Sequence, residues 1–434
     1  MAARDASLYD EIILESNNGT KSVDLRPGVV GINYYEDIFS PTLTAQISVI
    51  NTGGTILSDD GKYQSLYSGL PLRGGERVSI KIAGNSENNK GLDFSTPEKY
   101  FYVTKIGPVI RDGQKEIINL NLVSREAISN ETSRVYEKFK KAPITDHVSK
   151  IIKDYLRSDK PLNSDPVRDT YSFIGNLKKP FTLLVWLAAR SVPAVSGGLA
   201  GYFFYETQDG FNFRSVDQLI VDGKNSAAAE YFHKEYQDYQ EDTDDRILSY
   251  TINKNHDLLE KLRLGTYASF FAQYDPLFGR FTLPQEGKFT LDDYTTKTIN
   301  LGDDPEVPKL LNESGMSIAD MPSRIVTSIL DVGTMEQGVS LAPNIDAFKY
   351  QRESLLRYNL MFMQVLNMTV PLNTNLKAGD VIRCNFIKIS SNSDDFDREQ
   401  SGLYMIKELC HHFDSTQSLT SMKLIRDTYG EFGN

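Results

Sequence analysis

The two β-rich ends of this chain carry one pattern twice, and that repeat constrains the fold more than any other feature. In LRGGERVSIKI, the residues Leu72, Gly75, Glu76, Val78, Ile80 and Ile82 hold the same relative places as Leu376, Gly379, Asp380, Ile382, Cys384 and Phe386 of LKAGDVIRCNF. Downstream of each block, YVTKIGPVIRDGQKEIINLNLV lies without a gap on YMIKELCHHFDSTQSLTSMKLI. This second match pairs Tyr102 with Tyr404, Lys105 with Lys407, Asp112 with Asp414 and Leu122 with Leu424. Any two half-buried strands agree at alternate positions, so alternation alone shows no kinship. A glycine followed by an acid, and the Tyr-Lys spacing, are not demanded by alternation, and they make internal duplication the expectation. Its marker positions are Gly75, Glu76, Tyr102, Lys105, Gly379, Asp380, Tyr404 and Lys407. A chain holding two copies of one unit presents six when it trimerises, a number that suits a sixfold partner.

The rest of the chain reads as α+β and mainly β. LTAQISVI places Leu43, Ala45, Ile47 and Val49 on one face, and RVSIKI and INLNL repeat the alternation. One buried face per strand implies a sandwich or barrel, so residues 1–130 are expected to form a first β-barrel domain. Ile144, Val148, Ile151, Ile152, Tyr155 and Leu156 make one stripe, which predicts an amphipathic helix over 143–157. Residues 131–240 are then a helix-containing connector. The second barrel is expected from 241–300 and 346–430, with 301–345 a polar insertion or connector.

The segment Phe181–Tyr205 has Arg190 as its only charge, which raises the question of a membrane span. After Arg190 the uncharged run holds Pro193, Gly197, Gly198 and Gly201 and is too short to span. FTLLVWLAAR, following Pro180, instead predicts a short buried helix, and YFFYET and FNFRSV around Asp209-Gly210 predict a hairpin. The N-terminus shows neither a basic region with an apolar core nor a small-residue cleavage site, so no exported precursor is expected.

A net charge of −11 argues against a nucleic-acid binder, which needs clustered Lys and Arg to displace counterions from phosphates. The two cysteines, Cys384 and Cys410, point to a reducing compartment rather than a disulfide framework. Cys410, His411 and His412 contain metal-binding atoms, but neighbours on a strand face opposite ways, so no metal or other cofactor is expected. SGGLAG and RGGER lack the Lys-Ser/Thr ending of a phosphate loop and read as turns. The acidic clusters at 241–245 and 302–306 could supply the paired carboxylates of a glycoside hydrolase. A β-rich glycan-binding protein or glycosidase is therefore the competing reading, although clustered acids in such loops are usually solvated surface. No catalytic residue is assigned.

Three stretches resemble the central baseplate hub, or tail-tube initiator, of T4-like contractile-tailed phages. They are NTGGTILSDDGKYQSLYSGLPLRGGERVSI, KKPFTLLVWLAARSV leading to GYFFYETQDGFNFRSVDQL, and LKAGDVIRC followed by SGLYMIKELCHHFD. The resemblance implies two tail-tube-like barrels joined by connectors, a homotrimer with an axial channel, and no enzymatic activity. It implies a virion protein of the tail baseplate, assembled in the host cytoplasm, that adapts a threefold spike to the sixfold tail tube and templates the first tube ring. The implied partners are a separate spike protein, the tube protein, the tape-measure protein and other baseplate proteins. DNA would pass without sequence-specific binding and there would be no membrane anchor. Some hubs continue into a fused spike; this chain ends at RDTYGEFGN, so the spike is expected to be a separate chain.

Overall fold

A computed structural model describes residues 2–54, 56–57, 61–70, 72–113, 115–194, 198–233, 244–254, 257–276, 278–281, 284–295, 299–302, 315, 317–331, 333–334, 344, 347–388 and 396–428. The architecture is mainly β. One large sheet runs through both ends of the chain, and smaller sheets and helices lie between them.

At the N-terminal end, five strands are hydrogen-bonded in the order Val29–Asp37, Thr44–Asn51, Lys115–Ser124, Phe101–Ile106 and Arg77–Ala83. At the C-terminal end, five strands follow in the order Ser249–Lys254, Gln364–Pro371, Ser418–Arg426, Gly402–Asp414 and Val381–Asn385. The strands succeed one another along the chain in the same sequence in both sets, and every neighbouring pair in both is antiparallel. Alternation explains what each strand buries. Ala45, Ile47 and Val49 enter the first core, while Leu366, Met368 and Val370 enter the second, on the strands that occupy the same place in the order. Each unit thus has its own apolar core.

The units are joined edge to edge. The strand Gly402–Asp414 is long enough to serve both: its first half pairs with Val381–Cys384, and its second half pairs with Val29–Asp37 in an unbroken register from Glu408↔Asp37 to Asp414↔Gly31. This seam makes one sheet of the two units.

Residues 125–225 form the connector. The predicted amphipathic helix appears as Ile144–Ile151, widens into a π-helical turn over Ile152–Leu156 and ends at Arg157 in a left-handed conformation, φ 53°. Pro180–Ala188 is the buried helix, and Tyr202–Thr207 with Gly210–Ser215 is the hairpin. Their apolar faces form a separate core with Phe139, Tyr171 and Phe173. No helix among the described residues is long and apolar enough to cross a membrane.

Sheet membership differs from the sequence expectation in two places. Glu230–Phe232, expected within the connector, pairs in parallel with Arg383–Asn385 and so extends the C-terminal unit. Among the described strands of 241–300, Ser249–Lys254 alone joins that unit's sheet, with Ile247 before it in the second core. Ala268–Asp275, Arg280–Phe281 and Lys288–Thr290 form a separate sheet with Arg324–Ile329, a strand inside the expected polar insertion. Its residues Ile325 and Ile329 face outward, so it is not a core strand of the barrel.

Candidate assembly site

The repeated glycine-acid pair builds the same turn twice. Gly75 has φ 87° and Gly379 has φ 92°, a conformation that a side chain strains. Gly75 N donates to the Val103 carbonyl at 2.6 Å and Val103 N to the Glu76 carbonyl at 2.9 Å. In the C-terminal unit, Gly379 N donates to the Ile406 carbonyl at 2.8 Å and Ile406 N to the Asp380 carbonyl at 2.8 Å. The acid closes each turn: Glu76 accepts from Arg73 N at 2.7 Å, and Asp380 accepts from Lys377 N at 2.9 Å.

The same bonds correct the other marker pairs. Val103 stands where Ile406 stands, so Tyr404 corresponds to Phe101 and Lys407 to Thr104, not to Tyr102 and Lys105. A bulge confirms this register. The ladder shifts past Thr104 in one unit and past Lys407 in the other, at the same distance from the turn. Tyr404 and Phe101 are accordingly both buried, whereas Tyr102 is half-buried and Lys105 exposed. One extra residue in Gly107-Pro108-Val109, where the first unit's strand breaks, restores the gapless match from Ile110 onward. A one-residue slip turns every side chain to the other face, which is why the coincident Tyr and Lys letters mislead.

Three parts of the chain meet at the seam. Glu36, fully buried, accepts from Tyr34 Oη at 2.7 Å, from Gln208 N in the connector hairpin at 2.8 Å and from Ala378 N beside the second turn at 2.8 Å. Burial pushes its pKa up to about 7, and burial likewise pushes Asp380 up to about 6. Across the seam, Lys407 pairs with Asp37 at 2.8 Å and the hairpin's Asp209 contacts Lys377. His411 stacks on Tyr34 and bonds Thr420 at 3.0 Å. Its neighbour His412 bonds Asn33 at 2.6 Å on the other face, as strand alternation demands. Burial lowers the His411 pKa to about 4.

Two buried cations anchor the connecting parts, and no motif in the sequence marks either. Lys160 lies between Glu206 at 2.6 Å and Glu126 at 2.7 Å, and Glu206 also accepts from Leu43 N and Ser124 Oγ of the N-terminal unit. Burial alone would lower the Lys160 pKa, but the two carboxylates more than offset it and hold the ammonium above its ordinary value. Arg357, on the helix Ala347–Leu360, lies between Asp217 at 2.8 Å and Asp427 at 3.2 Å and also meets Tyr294. Both clusters are recognisable only from distant partners brought together by the fold.

Among the described residues, no group of three or more His, Cys, Asp or Glu side chains is placed to hold a metal. Cys384 is a buried residue of the second core. Of the acidic stretches weighed as catalytic, 241–243 and 303–306 lie outside the described residues. Asp244 accepts from Ala3 N at 3.0 Å.

No family model and no curated protein matches the sequence. Solved structures do match its fold. The tail protein from Neisseria meningitidis MC58 superposes with a TM-score of 0.56 at 9% identity, covering 96% of this chain and 96% of that one. The 43 kDa tail protein of prophage MuSo2 from Shewanella oneidensis superposes at 0.52 with 12% identity, covering 96% of this chain and 98% of the other. The chain therefore has the fold of phage-type tail proteins along nearly its whole length, as the hub resemblance leads one to expect.

Proposed function

We propose that this chain is the central hub of a phage-type tail baseplate, a structural protein whose work is geometric. The observation that carries the reading is the pair of β units with one strand order, one turn and one bulge, fused side by side through the Gly402–Asp414 seam. Internal duplication accounts for the shared bulge and turn, which a barrel does not require. Three such chains in a ring present six similar units, matching a sixfold tube on one face while the ring itself keeps the threefold symmetry of a spike. The tube, spike, tape-measure and other baseplate proteins are the partners of this reading, and its place is the virion tail, after assembly in the host cytoplasm.

The ring encloses an axial channel for DNA. A duplex must slide without being held, so the reading calls for a lumen without clustered Lys and Arg, and the net charge of −11 accords with that. The experiment is assembly from purified parts. The chain should form trimers that shorten the lag of tube polymerisation when mixed with the cognate tube protein. Tube growth with an unchanged lag in the presence of the chain would refute the templating role.

A further inference from the structure

The joint between the two units inside the chain prefigures a joint between chains. Within the chain, the outer half of Gly402–Asp414 pairs with Val29–Asp37. Each of these two edges has a counterpart elsewhere in the molecule. Ladder positions identify the first: Ile110 faces Ile117 as His412 faces Leu419, so Ile110–Asp112 is the counterpart of the seam-forming edge. They identify the second as well: Ile32 faces Ile47, which faces Leu120, as Tyr250 faces Met368, which faces Met422. Ser249–Lys254 is thus the counterpart of Val29–Asp37.

Among the described residues both counterparts are open edges. Among these residues Ser249–Lys254 ends the large sheet on one side, and Ile110–Asp112 pairs only with Lys115–Ile117. Ile110 is 55% exposed. Open strand edges are templates for pairing, and a molecule carrying the two halves of one joint at separate places makes a head-to-tail contact that closes into a ring when the rotation allows.

We propose that a second copy of this chain covers these edges, with Ile110–Asp112 of one copy pairing antiparallel to Ser249–Thr251 of the next. The register copies the seam: Ile110↔Thr251, Arg111↔Tyr250 and Asp112↔Ser249 stand for His412↔Asn33, Phe413↔Ile32 and Asp414↔Gly31. This rests on the trimeric reading above, which sets the number of copies; the strand edges set where they meet. The joint between copies is shorter than the one within. The seam continues through Cys410 and His411, but the counterpart there is Gly107-Pro108-Val109, where Pro108 offers no N–H and an extra residue breaks the ladder. The ring is accordingly held less firmly at its three joints between chains than at its three seams within them.

The test is a disulfide. Partners across an antiparallel ladder lie about 4.5–5.5 Å apart at Cα, within disulfide reach. In the full-length chain, Ile110→Cys with Thr251→Cys should, on oxidation, give covalent dimers and trimers on a denaturing gel, while either single substitution should not. Asn33→Cys with His412→Cys, the matching pair inside the seam, is the positive control and should close within one chain. Trimers by light scattering without cross-links at 110 and 251, while the control closes, would overturn the edge pairing and leave the trimer standing. A monomer at every concentration would overturn both. As a second variant, Ile110→Asp changes an exposed side chain, so thermal unfolding of the monomer should be unchanged. Trimer affinity should fall about tenfold or more, and unaltered assembly would count against the joint.

Discussion

The two β units share a strand order, a glycine-acid turn and a bulge, yet they differ in how the chain enters and leaves them. In the N-terminal unit, Val29–Asp37 and Thr44–Asn51 follow one another directly. In the C-terminal unit, the equivalent strands Ser249–Lys254 and Gln364–Pro371 are separated by a second sheet and the helix Ala347–Leu360. The strand that forms the seam is continuous in the second unit and broken at Gly107-Pro108-Val109 in the first. Backbone geometry that closes each unit is thus retained, while loops and edges have been put to different uses. The anchors show the same economy: each unit is tied to its neighbours through a buried cation between two carboxylates, Lys160 on one side and Arg357 on the other.

The largest expected effects break these anchors. Lys160→Met and Arg357→Met each strand two buried carboxylates, and each should cost about 3–5 kcal/mol, read from urea unfolding. If one substitution costs that much and the other nothing, the anchoring is not common to the two units. The turns come next. Gly75→Ala should cost about 1–3 kcal/mol from backbone strain alone. Gly379→Ala should cost more, because its new Cβ would meet the ring of buried Tyr205, whereas at Gly75 it meets the side chain of Asn17 at 3.0 Å. Equal costs would mean that the hairpin does not press on the second turn.

The seam should also respond to pH. Glu36 and Asp380 bind their protons more tightly in the folded chain than in the unfolded one, so the folded state holds more protons between their ordinary values and about 7 and 6. Stability contributed by these two groups is present at low pH and is lost as pH rises through that window, by about 1.4 kcal/mol for each tenfold difference in proton affinity between the folded and unfolded chain. His411 acts the other way: its folded value near 4 makes it lose stability as pH falls below 6.5. Denaturant midpoints should therefore decline from pH 6 to pH 8, and Glu36→Gln should flatten that decline. A midpoint that rises over this range in the native chain would contradict the burial of Glu36. The smallest effect tests the corrected register. Tyr404→Phe removes a hydroxyl that bonds Gln364 at 3.0 Å and the Gln400 carbonyl at 2.6 Å, for about 0.5–1.5 kcal/mol or somewhat more. Tyr102→Phe, on a half-exposed side chain, should change stability by less than about 0.5 kcal/mol. Similar losses at both would restore the pairing that the sequence suggests.

Much of the fold was legible because strand alternation and turn chemistry are local. Ala45, Ile47 and Val49 face inward as alternation requires, the Asp209-Gly210 hairpin forms, and Gly75 and Gly379 adopt the left-handed conformation that marks them. What was not legible depends on register and distance. The coincidence of Tyr102 with Tyr404 hid a one-residue shift, since sequence letters do not report which residue bulges out of a ladder. The seam depends on one strand having two partners far apart in sequence. Lys160 and Arg357 look like ordinary surface cations until Glu126, Glu206, Asp217 and Asp427 are brought around them. The strand Arg324–Ile329 lies in a stretch expected to be a polar insertion, and with Ile325 and Ile329 turned outward it has no buried apolar face for alternation to reveal.

The central claim is that two like units per chain let a threefold ring present sixfold symmetry. End-on electron microscopy of the purified assembly tests it most directly, with native mass measured on the same sample. The account predicts a particle of three chains whose end views show six similar lobes around a central opening. A trimer whose end views show three lobes without a sixfold component would contradict it.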